Sequence, residues 1–291
     1  MEWNQKVKVF LPPIMIDKLC TIKNIVELIP YQQLVKKNKQ LQNVHYGRRC
    51  FILGSGPSIK KQDLTQLKDE IVFALNNFYV HPDFQLIMSG DQPKYYLIAP
   101  IHPPQSEVEW KAWFEDIQLH VPTKSILFFG LSSFQGNSKY IIDKYNLFAE
   151  HIIYWYIVGK STEKYYSFNS KDIDLTKRVW NANAVSIYAL LIAIYMGFSK
   201  IYLLGMDHDY FLYDNEEQMR MYKSAIHQKN ELYRTFGDSF YVQEFLRQYH
   251  IFKQYELLDK NYPNTIYNAS EGGILKVFKR ISLENVLEGK N

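Results

Sequence analysis

The residues best suited to chemistry in this chain lie in short polar clusters, each directly after an apolar run. The most polar is Gly205-Met206-Asp207-His208-Asp209-Tyr210, which follows Ile201-Tyr202-Leu203-Leu204. Asp207 and Asp209 have the D-x-D spacing with which carboxylates hold Mg²⁺ or Mn²⁺ on a nucleotide diphosphate, because hard cations take oxygen ligands. An imidazole that titrates near neutrality suits general-base work. His208 is one candidate, with His227 and His250 further along the chain. Tyr210 and Tyr213 carry hydroxyls that can donate to a phosphate leaving group.

Four other clusters have the same setting. Gly54-Ser55-Gly56-Pro57-Ser58 follows the apolar run ending at Leu53. Its glycines let a backbone approach a ligand closely, and amides at a following helix start favour phosphate. It is not a nucleotide-triphosphate loop of the G-K-[ST] type, and Ile59 occupies the third glycine position of a dinucleotide fingerprint. Asn76 and Asn77 follow Ile71–Leu75, and an amide side chain suits a base edge or a sugar hydroxyl. Ser89-Gly90-Asp91 follows Phe84–Met88 in the same way. Asn181-Ala182-Asn183, with Ser186, opens a helix whose start suits a carboxylate or phosphate. Asn268-Ala269-Ser270-Glu271-Gly272-Gly273 reads as a ligand loop. Caps and turns account for each cluster singly; their shared position after apolar runs is what groups them.

The elements that must position these clusters follow from the pattern. Strands are expected at residues 48–53, 71–75, 84–88, 125–129, 151–156, 201–205 and, last, 264–268. Ala184–Met196 reads as a buried helix that Gly197 ends. Alternation of strand and helix predicts an α/β, Rossmann-like, mostly parallel sheet flanked by helices, with the site at its carboxyl edge. Residues 1–48 read as an N-terminal helical arm, with helical spacing over Ile14–Ile29 and a lysine-rich run after it. That arm either packs on the core or lies on a membrane surface or a second copy. Residues 49–291 form the main domain. Within it, 212–256 is a polar helical segment, either a solvent-facing excursion or a lid, and Ile281–Leu287 closes the chain as a short helix.

Composition excludes several classes. The 291 residues are 47% apolar and 22% charged, as in ordinary globular chains. Cys20 and Cys50 form no C-x-x-C pair, which excludes a disulfide scaffold or zinc ribbon and points to a reducing compartment. A net charge of +4 is too mild to argue for nucleic acid. There is no apolar run long enough to span a bilayer and no secretory leader pattern, so the expectation is a cytoplasmic protein, at most on the inner membrane face. No nucleophile elbow and no H-E-x-x-H helix occurs.

Taken together, ILGSGPS, ALNNFYV, MGFSKIYLLGMDHDY and YNASEGG resemble the bacterial sialyltransferases of glycosyltransferase family 42. The same blocks are similar to the motility accessory factor and 6-hydroxymethylpterin diphosphokinase-like families. They cover residues 48–92, 178–213 and 262–275, under half of the chain. The first resemblance implies a Rossmann-like fold with a lid and inverting, metal-independent transfer from a CMP-activated nonulosonate, such as CMP-sialic acid, to a surface-glycan acceptor. It places Gly54, Ser55, Gly56, Ser58 and Asn76 on the CMP moiety and Tyr210 and Tyr213 on the phosphate. The family's lid histidine lies in a Gly-His-Ser setting that this chain lacks, which leaves His208, His227 and His250 for the role. The diphosphokinase resemblance implies instead Mg²⁺-dependent pyrophosphoryl transfer using Asp91, Asp207 and Asp209. The accessory-factor resemblance implies a link to nonulosonate glycosylation, and a third, non-enzymatic reading is a glycan- or nucleotide-binding accessory protein that retained the fold and lost the base.

Overall fold

The structure, a computed structural model, describes residues 26–159, 173–213, 218–222 and 237–289. In chain order its elements are α1 (Gln32–Lys36), β1 (Arg49–Leu53), β2 (Val72–Leu75), α2 (Phe84–Ser89), β3 (Lys94–Ile98), α3 (Glu107–His120), β4 (Ile126–Leu131), α4 (Ser138–Tyr145), β5 (Ile152–Val158), β6 (Arg178–Val179), α5 (Val185–Tyr195), β7 (Lys200–Leu204), α6 (Phe240–Asn261), β8 (Ile266–Asn268), β9 (Lys279–Arg280) and α7 (Leu283–Leu287). The nine strands form one sheet in the order β6-β5-β4-β3-β2-β1-β7-β8-β9. Every strand pair is parallel. This is the Rossmann-like α/β architecture that the strand-and-helix alternation predicts.

Both faces of the sheet are covered. Within β1, Cys50 and Ile52 join the core that includes α5 and α6, whereas Phe51 and Leu53 join the core of α2, α3 and α4. Alternate residues thus face opposite layers, which is why central strands read as unbroken apolar runs. α5 has a buried residue at nine positions, from Ser186 to Tyr195. Its apolar side chains each contribute on the order of 2 kcal/mol by leaving water. Gly197, at φ +85°, ends the helix as expected.

From β1 the chain builds outward to β6. It then returns through α5 to β7, on the other side of β1, and continues to β8 and β9. The β1–β7 seam is therefore the topological switch point, where loops diverge and open a crevice at the carboxyl edge.

Four expectations are corrected. Phe84–Met88 is not a strand but the helix α2, because the buried positions are Phe84, Ile87 and Met88. That is helical spacing, with Leu86 left exposed. The third strand is Lys94–Ile98, buried throughout and bounded by Pro93 and Pro100. Ser89-Gly90-Asp91 therefore precedes a strand and lies at the amino edge. Ile266–Asn268 is not the last strand, since β9 follows.

The arm falls in two parts. Its residues 1–25, with most of the Ile14–Ile29 helix, lie outside the described residues. Residues 26–48 pack on the domain. Leu28 and Val35 are buried, and Asn38 Nδ2 donates to the Trp155 carbonyl at 2.7 Å and the Leu175 carbonyl at 2.8 Å. No described helix is long and apolar enough to cross a membrane.

Candidate functional site

The loops after β1 and β7 meet because their backbones touch. A β-carbon at Gly54 would lie 2.7 Å from the Gly205 carbonyl, and one at Gly56 would lie 2.6 Å from Asp207 Oδ2. The Gly56 amide donates to the Gly205 carbonyl at 2.9 Å. Gly56 thus admits the neighbouring loop and not a ligand, which corrects the sequence expectation for that residue. Asp207 closes the seam. Its Oδ2 accepts from the Ser58 amide at 2.7 Å, and its Oδ1 accepts from the Ser58 hydroxyl.

The YNASEGG block buttresses the seam from behind. Ser270 Oγ accepts from the Met206 amide at 3.1 Å, and the Ile274 amide donates to the Asp207 carbonyl at 2.8 Å. Arg280 donates to the carbonyls of Ser270, Gly272 and Gly273. The block holds the site loop in place and does not line the cavity; Glu271 is exposed.

In front of the seam lies a cavity of about 570 Å³. Among the sequence candidates, Gly54, Ser55, Asn76, Asn77, Asn181, Asn183, Ser186, Gly205, Asp207, His208 and Tyr210 line it. Gly56, Ser58, Tyr213, His250, Ser270, Glu271 and Gly272 do not, and Asp91 is at the opposite edge. His227 lies outside the described residues.

Each wall has a sequence-level cause. Asn76 takes φ +46° at the end of β2, a conformation asparagine tolerates well. Its Oδ1 accepts from the Ala99 amide at 3.1 Å. Asn77 accepts from Trp113 Nε1 at 2.5 Å and donates to the Tyr222 hydroxyl at 2.6 Å. Trp113 is placed by α3, which starts with a Ser106–Glu109 capping box. On the opposite wall Gln254 of α6 holds the Asn181–Asn183 segment, donating to the Asn181 carbonyl at 2.9 Å and accepting from the Asn183 amide at 3.1 Å. α5 then begins at Val185, with Ala184 at the N-cap and no side-chain cap. The first amides of α5 therefore carry the positive end of the helix dipole at the cavity.

The charged lining is mainly cationic. Among the described residues it comprises Arg178, Arg220 and Arg247 against Glu109 and Asp207. Both carboxylates are turned to their own neighbours, Asp207 to Ser58 and Glu109 to the amide and hydroxyl of Ser106. Arg220 donates to the Tyr222 hydroxyl at 2.8 Å, and Arg247 pairs with Glu244 at 2.8 Å. Burial strips solvation from the Arg178 charge and so lowers its pKa.

The D-x-D metal expectation is not met by the geometry. Both Asp207 oxygens serve Ser58, and Asp209 does not line the cavity. Asp91, the third carboxylate of the diphosphokinase expectation, is at the far edge. No group of three metal-ligating side chains occurs among the described residues. Asp209 is buried, Oδ2 accepts from the Tyr213 hydroxyl at 3.1 Å, and Oδ1 has no hydrogen-bond partner among the described residues.

Burial, followed by the neighbouring Asp207 charge, raises the Asp209 pKa above 3.8. An acid with a raised folded-state pKa loses stability as pH rises through that range. Asp209→Asn is thus expected to raise the melting temperature at neutral pH. The gain should shrink as pH falls towards 3.8, where the acid is protonated in the unfolded chain as well. Thermal melts across that pH range check this; a gain independent of pH contradicts it.

His208 is corrected as a direct base. It sits at φ +56° with both ring nitrogens engaged, Nδ1 with Gln248 Oε1 at 3.0 Å and Nε2 with the Tyr255 hydroxyl at 2.9 Å. Burial, with some help from the Arg247 charge, pushes its pKa down to about 4. Sequence reading missed His102, which lines the mouth of the cavity. Its Nδ1 lies 2.6 Å from the Pro103 carbonyl. A carbonyl only accepts, so the ring carries its proton on Nδ1 and leaves Nε2 as the basic nitrogen. A histidine just past a proline-bounded strand was the available signal. The three arginines and Trp113 were also missed; they come from separate elements with no local motif, the Trp113 capping box excepted.

Compared with protein-family models, with curated proteins and with solved structures, the chain matches none.

Proposed function

We propose that the cavity binds a nucleotide-activated sugar and that the protein is a metal-independent glycosyltransferase, with a CMP-activated nonulosonate as the donor class. The observation that carries this reading is the meeting, in one cavity at the switch point, of an uncapped helix start, three arginines and an amide-and-tryptophan wall. The cationic part suits a phosphate and a sugar carboxylate. Asn76, Asn77 and Trp113 suit a base and ribose. The volume falls within the range of small-ligand pockets.

In this reading His102 Nε2 takes the proton of the acceptor hydroxyl as its oxygen attacks the anomeric carbon. The bond to phosphate breaks and CMP leaves with the electron pair. Arg220, Arg247 and the Tyr210 hydroxyl offset the charge that develops on the leaving phosphate. The test is a panel of activated sugars scored for release of CMP, UMP, UDP or GDP. Release of CMP is expected, and it should persist in EDTA, since the two cavity carboxylates among the described residues, Asp207 and Glu109, are engaged with Ser58 and Ser106. Loss of all release on chelation, or release of another nucleotide alone, contradicts the reading.

A further inference from the structure

We propose that Ser186 presents only lone pairs to the cavity, held so by a buried one-way chain of hydrogen bonds, and that it thereby reads a hydroxyl on the sugar of the donor. This rests on the cavity holding an activated sugar. The chain begins at Glu244, which is fully buried and whose two oxygens accept from Arg247 Nε at 2.8 Å and Nη2 at 2.9 Å. A carboxylate facing a guanidinium only accepts, so Gln248 must turn its amide nitrogen to it, and Nε2 donates to Glu244 Oε1 at 2.5 Å. That fixes Gln248 Oε1 as the atom facing His208, 3.0 Å from Nδ1. An amide oxygen accepts, so His208 carries its proton on Nδ1. Nε2 is then an acceptor and takes the Tyr255 hydroxyl proton at 2.9 Å. With that proton spent, Tyr255 can only accept from the Ser186 hydroxyl, 2.5 Å away. Each direction follows from the one before.

Glu244, Gln248 and Tyr255 stand at i, i+4 and i+11, one face of α6, while His208 comes from the loop after β7 and Ser186 from the first turn of α5. Three distant segments are therefore tied into one polarity. The result is selective because of what surrounds it. Arg178 and the first amides of α5 are donors that suit anionic oxygens. Ser186, also on this wall, is an acceptor and needs an O–H or N–H. A carboxylate or phosphate oxygen in that place meets a lone pair and is repelled. A sugar bearing a hydroxyl near its anionic group satisfies both at once. Sites that hydrogen-bond a substrate hydroxyl discriminate strongly, since a ligand lacking it leaves buried polar atoms unpaired.

Two measurements test this. Nitrogen-15 NMR of the His208 ring in the wild-type protein should show the proton on Nδ1 and an unprotonated, hydrogen-bonded Nε2. A proton on Nε2 overturns the direction of the chain without reference to any ligand. Equilibrium binding is then compared for CMP and CMP-N-acetylneuraminate. Ser186→Ala and Tyr255→Phe should each weaken the sugar nucleotide about tenfold, a lost hydrogen bond in a closed site, and leave CMP within about twofold. The double variant should be no weaker than Ser186→Ala alone, since Tyr255 acts only through Ser186. Tyr255→Phe binding the sugar nucleotide like wild type, or losing CMP equally, overturns the proposal. Failure of wild type to bind either compound overturns the reading of the cavity instead, and the imidazole proton still reports on the chain.

Discussion

Gly273→Ala should destabilise the protein by about 3 kcal/mol, the sum expected for a strained φ and a steric overlap in a packed interior. Gly273 has φ +72°, and a β-carbon there would lie 2.3 Å from Asp207 Cα and 2.4 Å from the Asp207 carbonyl oxygen. The overlap is with backbone, so no side chain can rotate away. Relief requires the YNASEGG block to move off the β7 loop, which removes the support of Asp207 and through it Ser58. A chain of this size should lose roughly 5–10 °C in melting temperature. Gly47→Ala is the control, because Gly47 has a similar φ of +76° with nothing within 4 Å of a β-carbon. It should cost about 1 kcal/mol from backbone strain alone. Equal losses at the two positions contradict the packing role given to Gly273.

The second large effect is on turnover. His102→Gln should lower kcat by about 100-fold for whichever activated sugar releases its nucleotide, with donor KM within about twofold. Glutamine keeps polarity and comparable size but cannot accept a proton. Steady-state nucleotide release from the donor panel provides the measurement. A kcat within a few-fold of wild type removes His102 from the proton transfer, and a rise in KM alone makes it a binding residue.

How much of this was legible before the structure depends on whether the information was local. The strand ends at Gly54, Asn76 and Gly205 were found because an apolar run followed by small polar residues is a local signal of a strand reaching a sheet edge. That several line one cavity follows from parallel strands sharing one carboxyl edge. Phe84–Met88 failed because five apolar or neutral residues carry too few turns to separate a period of 2 from one of 3.6. The error moved Asp91 to the wrong edge of the sheet.

The glycine-rich blocks were recognised as a set but given the wrong task in part. Gly56 and Gly272 give room to Asp207 and Ser58, and glycine's need for space does not reveal what fills it. Asp207 looked like a metal ligand because its partner, Ser58, is 149 residues away. Arg178, Arg220 and Arg247 were invisible for the same reason. Each stands in an ordinary sequence setting, and only the fold gathers them. The chain from Glu244 to Ser186 spans three segments, and its i, i+4, i+11 spacing in α6 looks like any amphipathic face until His208 is packed against it.

The claim on which the functional reading stands is that this cavity is a nucleotide site that needs no metal. Isothermal titration of CMP into the protein in EDTA tests it most directly. Saturable one-to-one binding in the micromolar range, weakened at least tenfold by Arg220→Gln, is the predicted result. An absence of heat up to high micromolar CMP, or binding that Arg220→Gln leaves untouched, contradicts it.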